Sequence, residues 1–150
     1  MKYSEAILGR VFIVRLEDGE IVQEQIENFA TEQGILSAKV QLLGGVDKGS
    51  QLIVGPLESR SSTITPMIIT LDDMHEAVGN GTIFQDEKGK PILHCHLTCG
   101  RNDKTLCGEI REGVKVWHVM EAIITELENC NAVRKFDEAT GFELLQPEDN

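Results

Sequence analysis

The sequence predicts an α+β domain in which strands outnumber helices, and three stretches carry that prediction. Residues 92–99 read Ile-Leu-His-Cys-His-Leu-Thr-Cys, and residues 36–42 set Leu36, Ala38, Val40 and Leu42 between Ser37, Lys39 and Gln41. Both alternate with the period of two that sends successive side chains to opposite faces of a strand. Residues 20–33 instead repeat Val22, Ile26, Phe29 and Ala30 at helical spacing, with Gly34 where a helix C-cap belongs. With 150 residues and no repeat or linker-like run, the chain is expected to form a single domain over residues 1–150.

The remaining elements follow in order. Residues 7–16 are rich in β-branched and aromatic side chains and read as a strand, and Asp18-Gly19-Glu20 turns the chain into the helix. Glu20, Glu24 and Glu27 suit the N-terminal half of that helix and read as a wet face. Gly44-Gly45 ends the next strand, and residues 51–54 are expected to be its hairpin partner. Residues 63–71 form a strand that Pro66 confines to an edge or a bulge. Residues 74–84 form another, with Gly79 and Gly81 marking a bend or a close backbone approach, and with His75 at its start as a surface histidine. A polar turn at 86–91 leads into 92–99, and a second at 100–104 leads into 105–110. Residues 114–127 read as one long strand, 136–145 as two short extended pieces around Thr140-Gly141, and 146–150 as a frayed end.

Charge and composition narrow the function. A formal net charge of −11 repels phosphate backbones, so direct nucleic-acid binding is not expected. No run approaches the ~20 apolar residues of a membrane span, and residues 1–5 lead into no signal-type segment. A soluble, cytoplasmic protein without membrane contact is expected. The four cysteines, Cys95, Cys99, Cys107 and Cys130, lack CxxC spacing and read as reduced thiols, Cys95 and Cys99 as small buried hydrophobes. Nucleophile-elbow, phosphate-loop and dinucleotide fingerprints are all missing from the sequence.

The residues with metal chemistry cluster between 92 and 118. On the strand 92–99, Leu93, Cys95, Leu97 and Cys99 share one face while His94 and His96 share the other. Neutral imidazoles ligate Zn²⁺ and related divalent transition ions well, and two of them two residues apart on a strand can aim at one point. If Asn102-Asp103 forms the centre of the following turn, Gly100 pairs with Thr105, Thr98 with Cys107, and His96 with Glu109. A register shifted by two would set Glu109 opposite His94 and leave it on the same face. A tight turn at Glu112-Gly113 would bring His118 opposite Cys107 and onto that face as well, whereas a three-residue turn would send it away. The metal candidates are therefore His94, His96 and His118. Glu109 either completes the ligand set or acts as general base on metal-bound water. The bland alternative has the histidines hydrogen-bonding on a polar or subunit-facing surface, with Glu109 a solvated strand residue. Arg15 reads as a surface ion pair and Trp117 as core.

The order of these motifs resembles the PPC (plants and prokaryotes conserved) domain. The matching pieces are Arg15-Leu16 before Asp18-Gly19-Glu20, Phe29-Ala30, Gly44-Gly45, Gly81-Thr82-Ile83, Leu93-His94-Cys95-His96, Cys107-Gly108-Glu109-Ile110, Glu121-Ala122-Ile123-Ile124 and Thr140-Gly141-Phe142. The resemblance implies a large, mainly antiparallel sheet flanked by helices and a homotrimeric assembly. Two departures stand out. Where the family reads Gly-Gly-His-Leu this chain has Cys107-Gly108-Glu109-Ile110, a carboxylate in place of a third histidine, and His118 stands where many prokaryotic relatives carry proline. The sequence has no Arg-Gly-Arg-Pro segment, so the DNA-binding role that plant relatives owe to an AT-hook does not transfer.

Two function classes follow. One is a homotrimeric metal-binding protein, zinc being the first candidate, whose site takes a small-molecule ligand as a hydrolase or lyase would. The other is a non-enzymatic interaction module that meets DNA only through partner proteins.

Overall fold

The computed structural model describes residues 1–60, 64–111 and 113–147, and it folds around one eight-stranded sheet. The strands are β1 (Ile7–Glu17), β2 (Ser37–Val46), β3 (Gln51–Pro56), β4 (Pro66–Thr70), β5 (His75–Gln85), β6 (Pro91–Arg101), β7 (Lys104–Glu109) and β8 (Val116–Glu128). Their spatial order is β1-β8-β2-β5-β6-β7-β3-β4, and every pairing is antiparallel. A separate hairpin joins β9 (Val133–Asp137) to β10 (Phe142–Gln146). Among the described residues there is one α-helix, α1 (Val22–Gln33), closed by Gly34 in the left-handed conformation. The predicted flanking helices are thus a single helix, and it covers one face of the sheet.

Period-two patterning explains which face. Ala38, Val40 and Leu42 on β2, Ile83 on β5, and Leu93, Cys95, Leu97 and Cys99 on β6 are all buried, and they meet Val22, Ile26 and Ala30 of α1 in one core. Burial pushes the Cys95 thiol up to about 12 and the Cys99 thiol to about 11, with Glu109 and Cys107 adding smaller like-signed effects. Both are inert apolar side chains, as their parity implied, and all four cysteines are free. Much of the opposite face stays open, although Arg134 of β9 packs on Thr82 and Phe84 at one end of β5. Ile13, Leu43, Val78 and Ile123 lie on the open part with exposures of 77%, 56%, 55% and 41%, joined across neighbouring strands by the pairs Ile13↔Ile123 and Leu43↔Val78.

Several local expectations are corrected. Residues 51–54 do not pair with β2, whose two edges are filled by β5 and β8; β3 crosses to β7 and β4 instead. Alternation fixes a strand's faces but not its neighbours. Gly44-Gly45 does not end β2, which runs on to Val46 opposite a shift in the β8 register. His75 is buried, and its Nδ1–H donates to the Asp73 carbonyl at 2.9 Å. Glu27 is no wet helix residue: its side chain is 12% exposed, and its Oε1 accepts the Leu93 N–H at 3.1 Å, a donor β7 is too short to reach. The edge strand with Pro66 falls on β4 and the two tail pieces on β9 and β10, with Gln146 still in β10. Thr63 and residues 148–150 of the predicted segments lie outside the described residues.

Close strand packing sets the first expected outcome. A Cβ on Gly81 would meet the Cys95 Cβ at 2.6 Å and the His94 carbonyl oxygen at 2.8 Å, whereas one on Gly100 would meet nothing within 4 Å. Gly81→Ala should therefore cost about 1–3 kcal/mol, while Gly100→Ala should stay within about 0.5 kcal/mol. Denaturant midpoints for the two variants check the contrast.

Candidate metal centre

The β6–β7 hairpin builds the polar site. Its turn is Asn102-Asp103, with Asn102 in the left-handed region (φ 54), and the pairs run Arg101↔Lys104, Gly100↔Thr105, Thr98↔Cys107 and His96↔Glu109. This is the register that turn placement implied. On the other side of β6, Thr82 of β5 lies opposite His94. His94, His96, Thr82 and Glu109 therefore share the face that α1 leaves open, and β6 separates them from the core by one side-chain alternation.

Within this cluster the His94 and His96 ring centroids are 5.2 Å apart at 69°. The Glu109 carboxylate does not sit between them. Its Oε1 accepts a hydrogen bond from His94 Nδ1–H at 2.9 Å and another from Arg111 Nε–H at 2.6 Å. The hydrogen bond from His94 is the main reason its carboxyl is held down to about 2; burial opposes the shift and Arg111 reinforces it. An ionised carboxylate only accepts, so His94 must carry its proton on Nδ1, which leaves the Nε2 lone pair of the neutral ring free. His94 keeps 43% of its side chain exposed and His96 is exposed.

A second guanidinium packs on the same face of the sheet. Arg134, on β9, is 5% exposed; its Nη2 donates to Thr82 Oγ1 at 3.3 Å, its Cζ stands 6.0 Å from the Phe84 ring centre, and its Nε is buried without a hydrogen-bond partner among the described residues. Burial lowers its pKa, as does Arg111, while Glu109 and Glu143 raise it. Sequence reasoning missed Arg134 and Arg111. Arg111 follows directly on the Cys107–Ile110 motif, but Arg134 is placed by tertiary packing through the Asp86↔Arg134 bridge, which no local pattern announces.

His118 is not brought to the pair. After Glu109 the chain leaves the sheet, with Ile110 N–H bonded to the Cys95 carbonyl, and β8 returns between β1 and β2. Two strands, β2 and β5, separate β8 from β6, about 14 Å at ordinary strand spacing. The turn expected at Glu112-Gly113 falls partly outside the described residues, since Glu112 is not among them. His118 itself is exposed at φ 60, its N–H donating to Asp18 Oδ1 at 2.7 Å and its ring 4.2 Å from Trp117. Trp117 is half-buried, and Arg15 makes the surface ion pair with Glu17 that was expected of it.

The donor set fits a metal in part. Two imidazoles on one tetrahedral zinc, each nitrogen about 2 Å from the ion, hold their centroids about 5 Å apart, which the His94–His96 spacing meets. The carboxylate behind His94 is where an outer-shell partner of a ligating histidine belongs. Yet among the described residues no group of three or more His, Cys, Asp or Glu side chains converges as ligands would. The described residues present a two-imidazole arm and not a complete cage.

Known proteins share this architecture. A metal-containing protein from Archaeoglobus fulgidus is 26% identical, with 97% of this chain and 99% of that one aligned at a TM-score of 0.84. A plant- and prokaryote-conserved (PPC) protein from Pyrococcus horikoshii is 25% identical, with 96% of each chain aligned at 0.81. A Bacteroides thetaiotaomicron protein proposed to bind DNA is 19% identical over 94% of this chain and 96% of that one, at 0.76, a likeness of fold. No curated protein matches the chain. The profile of the Plants and Prokaryotes Conserved (PCC) domain matches residues 3–128, and the chain belongs to that family. No helix among the described residues is long and apolar enough to cross a membrane.

The Glu109 interactions make a pH-dependent prediction for metal-free protein. Its folded pKa lies below the ordinary 4.5, so its stabilisation is present above pH 4.5 and is lost as pH falls towards about 2. Because the group is only partly buried, the contribution is on the order of 1 kcal/mol. Glu109→Gln should remove that pH dependence, which urea midpoints measured between pH 5 and about 2.5 will show.

Proposed function

We propose that this chain is a homotrimeric metal-binding protein that holds a divalent transition ion, zinc first among them, through His94 and His96. The observation that carries the reading is the exposed imidazole pair at 5.2 Å, with Glu109 fixing the His94 tautomer from behind. The metal-containing protein from Archaeoglobus fulgidus supports it. Glu109, clasped by His94 and Arg111 with its carboxyl near 2, serves as an orienting group; a general base works best with a pKa near the operating pH. The remaining coordination positions are left to donors outside the described protomer. A metal open on one side suits a small-molecule ligand better than a closed structural role.

The homotrimer is supported by the open sheet face. Ile13, Leu43, Val78 and Ile123 are exposed apolar side chains on that face, interspersed with Gln41 and Glu121, and exposed apolar surface marks association. A second reading, an interaction module that meets DNA only through partner proteins, draws on the same side chains and on the fold shared with the Bacteroides protein. The net charge of −11 opposes direct DNA contact.

Elemental analysis of protein purified without chelator tests the metal reading. Near-stoichiometric metal is expected in the wild type and in His118→Ala, with only traces in His94→Ala/His96→Ala; equal metal in the wild type and the double variant rejects it. Light scattering tests the assembly. Leu43→Glu should dissociate a trimer, and a wild-type monomer at micromolar concentration would remove the trimer from the proposal.

A further inference from the structure

We propose that Arg111 and Arg134 seat a small oxyanion, a carboxylate or phosphate group, beside His94. Arg134 is only 5% exposed, yet the only hydrogen-bond partner of its guanidinium among the described residues is the neutral Thr82 hydroxyl at 3.3 Å. No carboxylate stands within ion-pair distance of it among the described residues, Glu109 included, and its buried Nε–H donates to nothing. A buried cation without a counter-ion is costly, and a guanidinium with its Nε–H unused has a donor left for an oxyanion.

The surroundings place that anion. Thr82, which holds Arg134, lies opposite His94 in the sheet, so the guanidinium is on the histidine face. Arg111 feels the same neighbourhood from the β7 side, with its side chain 38% exposed and its Nε spent on Glu109, and Arg134 responds to the charges of both Arg111 and Glu109. The Glu109 charge is already matched by Arg111, and Glu143, the other carboxylate that Arg134 senses, is exposed on β10. One positive charge is left over at this point, on a chain whose net charge is −11. The cationic site is local and selective, since the wider field repels anions that lack a dedicated seat. The inference rests on the metal reading only in taking the anionic molecule to be what the metal meets; the seat itself does not need the metal.

The test uses the full chain, ¹⁵N-labelled and freed of metal by chelation, titrated with inorganic phosphate and separately with acetate at constant ionic strength, with chloride as control. The expected result is a saturable shift of the Arg134 Nε–Hε resonance with phosphate or acetate and none with chloride. The stronger of the two names the group recognised. In Arg111→Gln, a solvent-facing change that leaves the core intact, the midpoint should rise at least about tenfold. Three results would overturn the proposal: no saturation with either anion, an unchanged midpoint in Arg111→Gln, or a response that appears only when zinc is added back. Because the titration is run without metal, a failed metal reading leaves its outcome interpretable.

Discussion

The site depends on the register between β6 and β7. With His96 facing Glu109, the carboxylate falls on the histidine side of the sheet while Gly108 lies against β3 on the core side. A slip of one residue would turn Glu109 into the apolar interior and expose the core-facing residues of β7. That outcome is blocked on both sides: Leu93, Cys95, Leu97 and Cys99 are locked under α1, and Asn102 closes the hairpin in the left-handed conformation. Burial of four apolar side chains, two leucines and two cysteines, thus fixes where two imidazoles and a carboxylate stand.

Much of this could be read in the sequence because the relevant information is local. Two-residue alternation in 92–99 sorted the thiols from the imidazoles, and a polar turn at Asn102-Asp103 was enough to count Glu109 into register with His96. Helix α1 was legible from Val22, Ile26 and Ala30, its buried residues, and from the left-handed Gly34. What failed was non-local. Nothing in residues 51–54 says that β2 already has β5 and β8 at its edges, and nothing around His118 says that β8 returns beside β1 instead of β7. Arg134 was invisible for the same reason: only the folded chain carries β9 to Thr82.

The two faces of the sheet divide the work. α1 closes one of them, and Glu27 even reaches across to satisfy the Leu93 N–H where β7 has ended. The other carries exposed apolar side chains and a charged cluster, with no helix over it among the described residues. Stability and chemistry are thereby separated by the thickness of one strand. Substitutions at His94 or His96 need not disturb the packing of Cys95, although the three are consecutive in the chain.

The margins of the sheet carry a consequence of their own. At one end β4 is five residues long and begins at Pro66, which pairs with Pro56 of β3; at the other, β1 shifts register between Leu8 and Val11 and bears Arg10 and Arg15. Short, proline-marked or kinked and charged borders make poor templates for an added strand. These features disfavour the stacking of one copy rim to rim on another into open-ended ribbons.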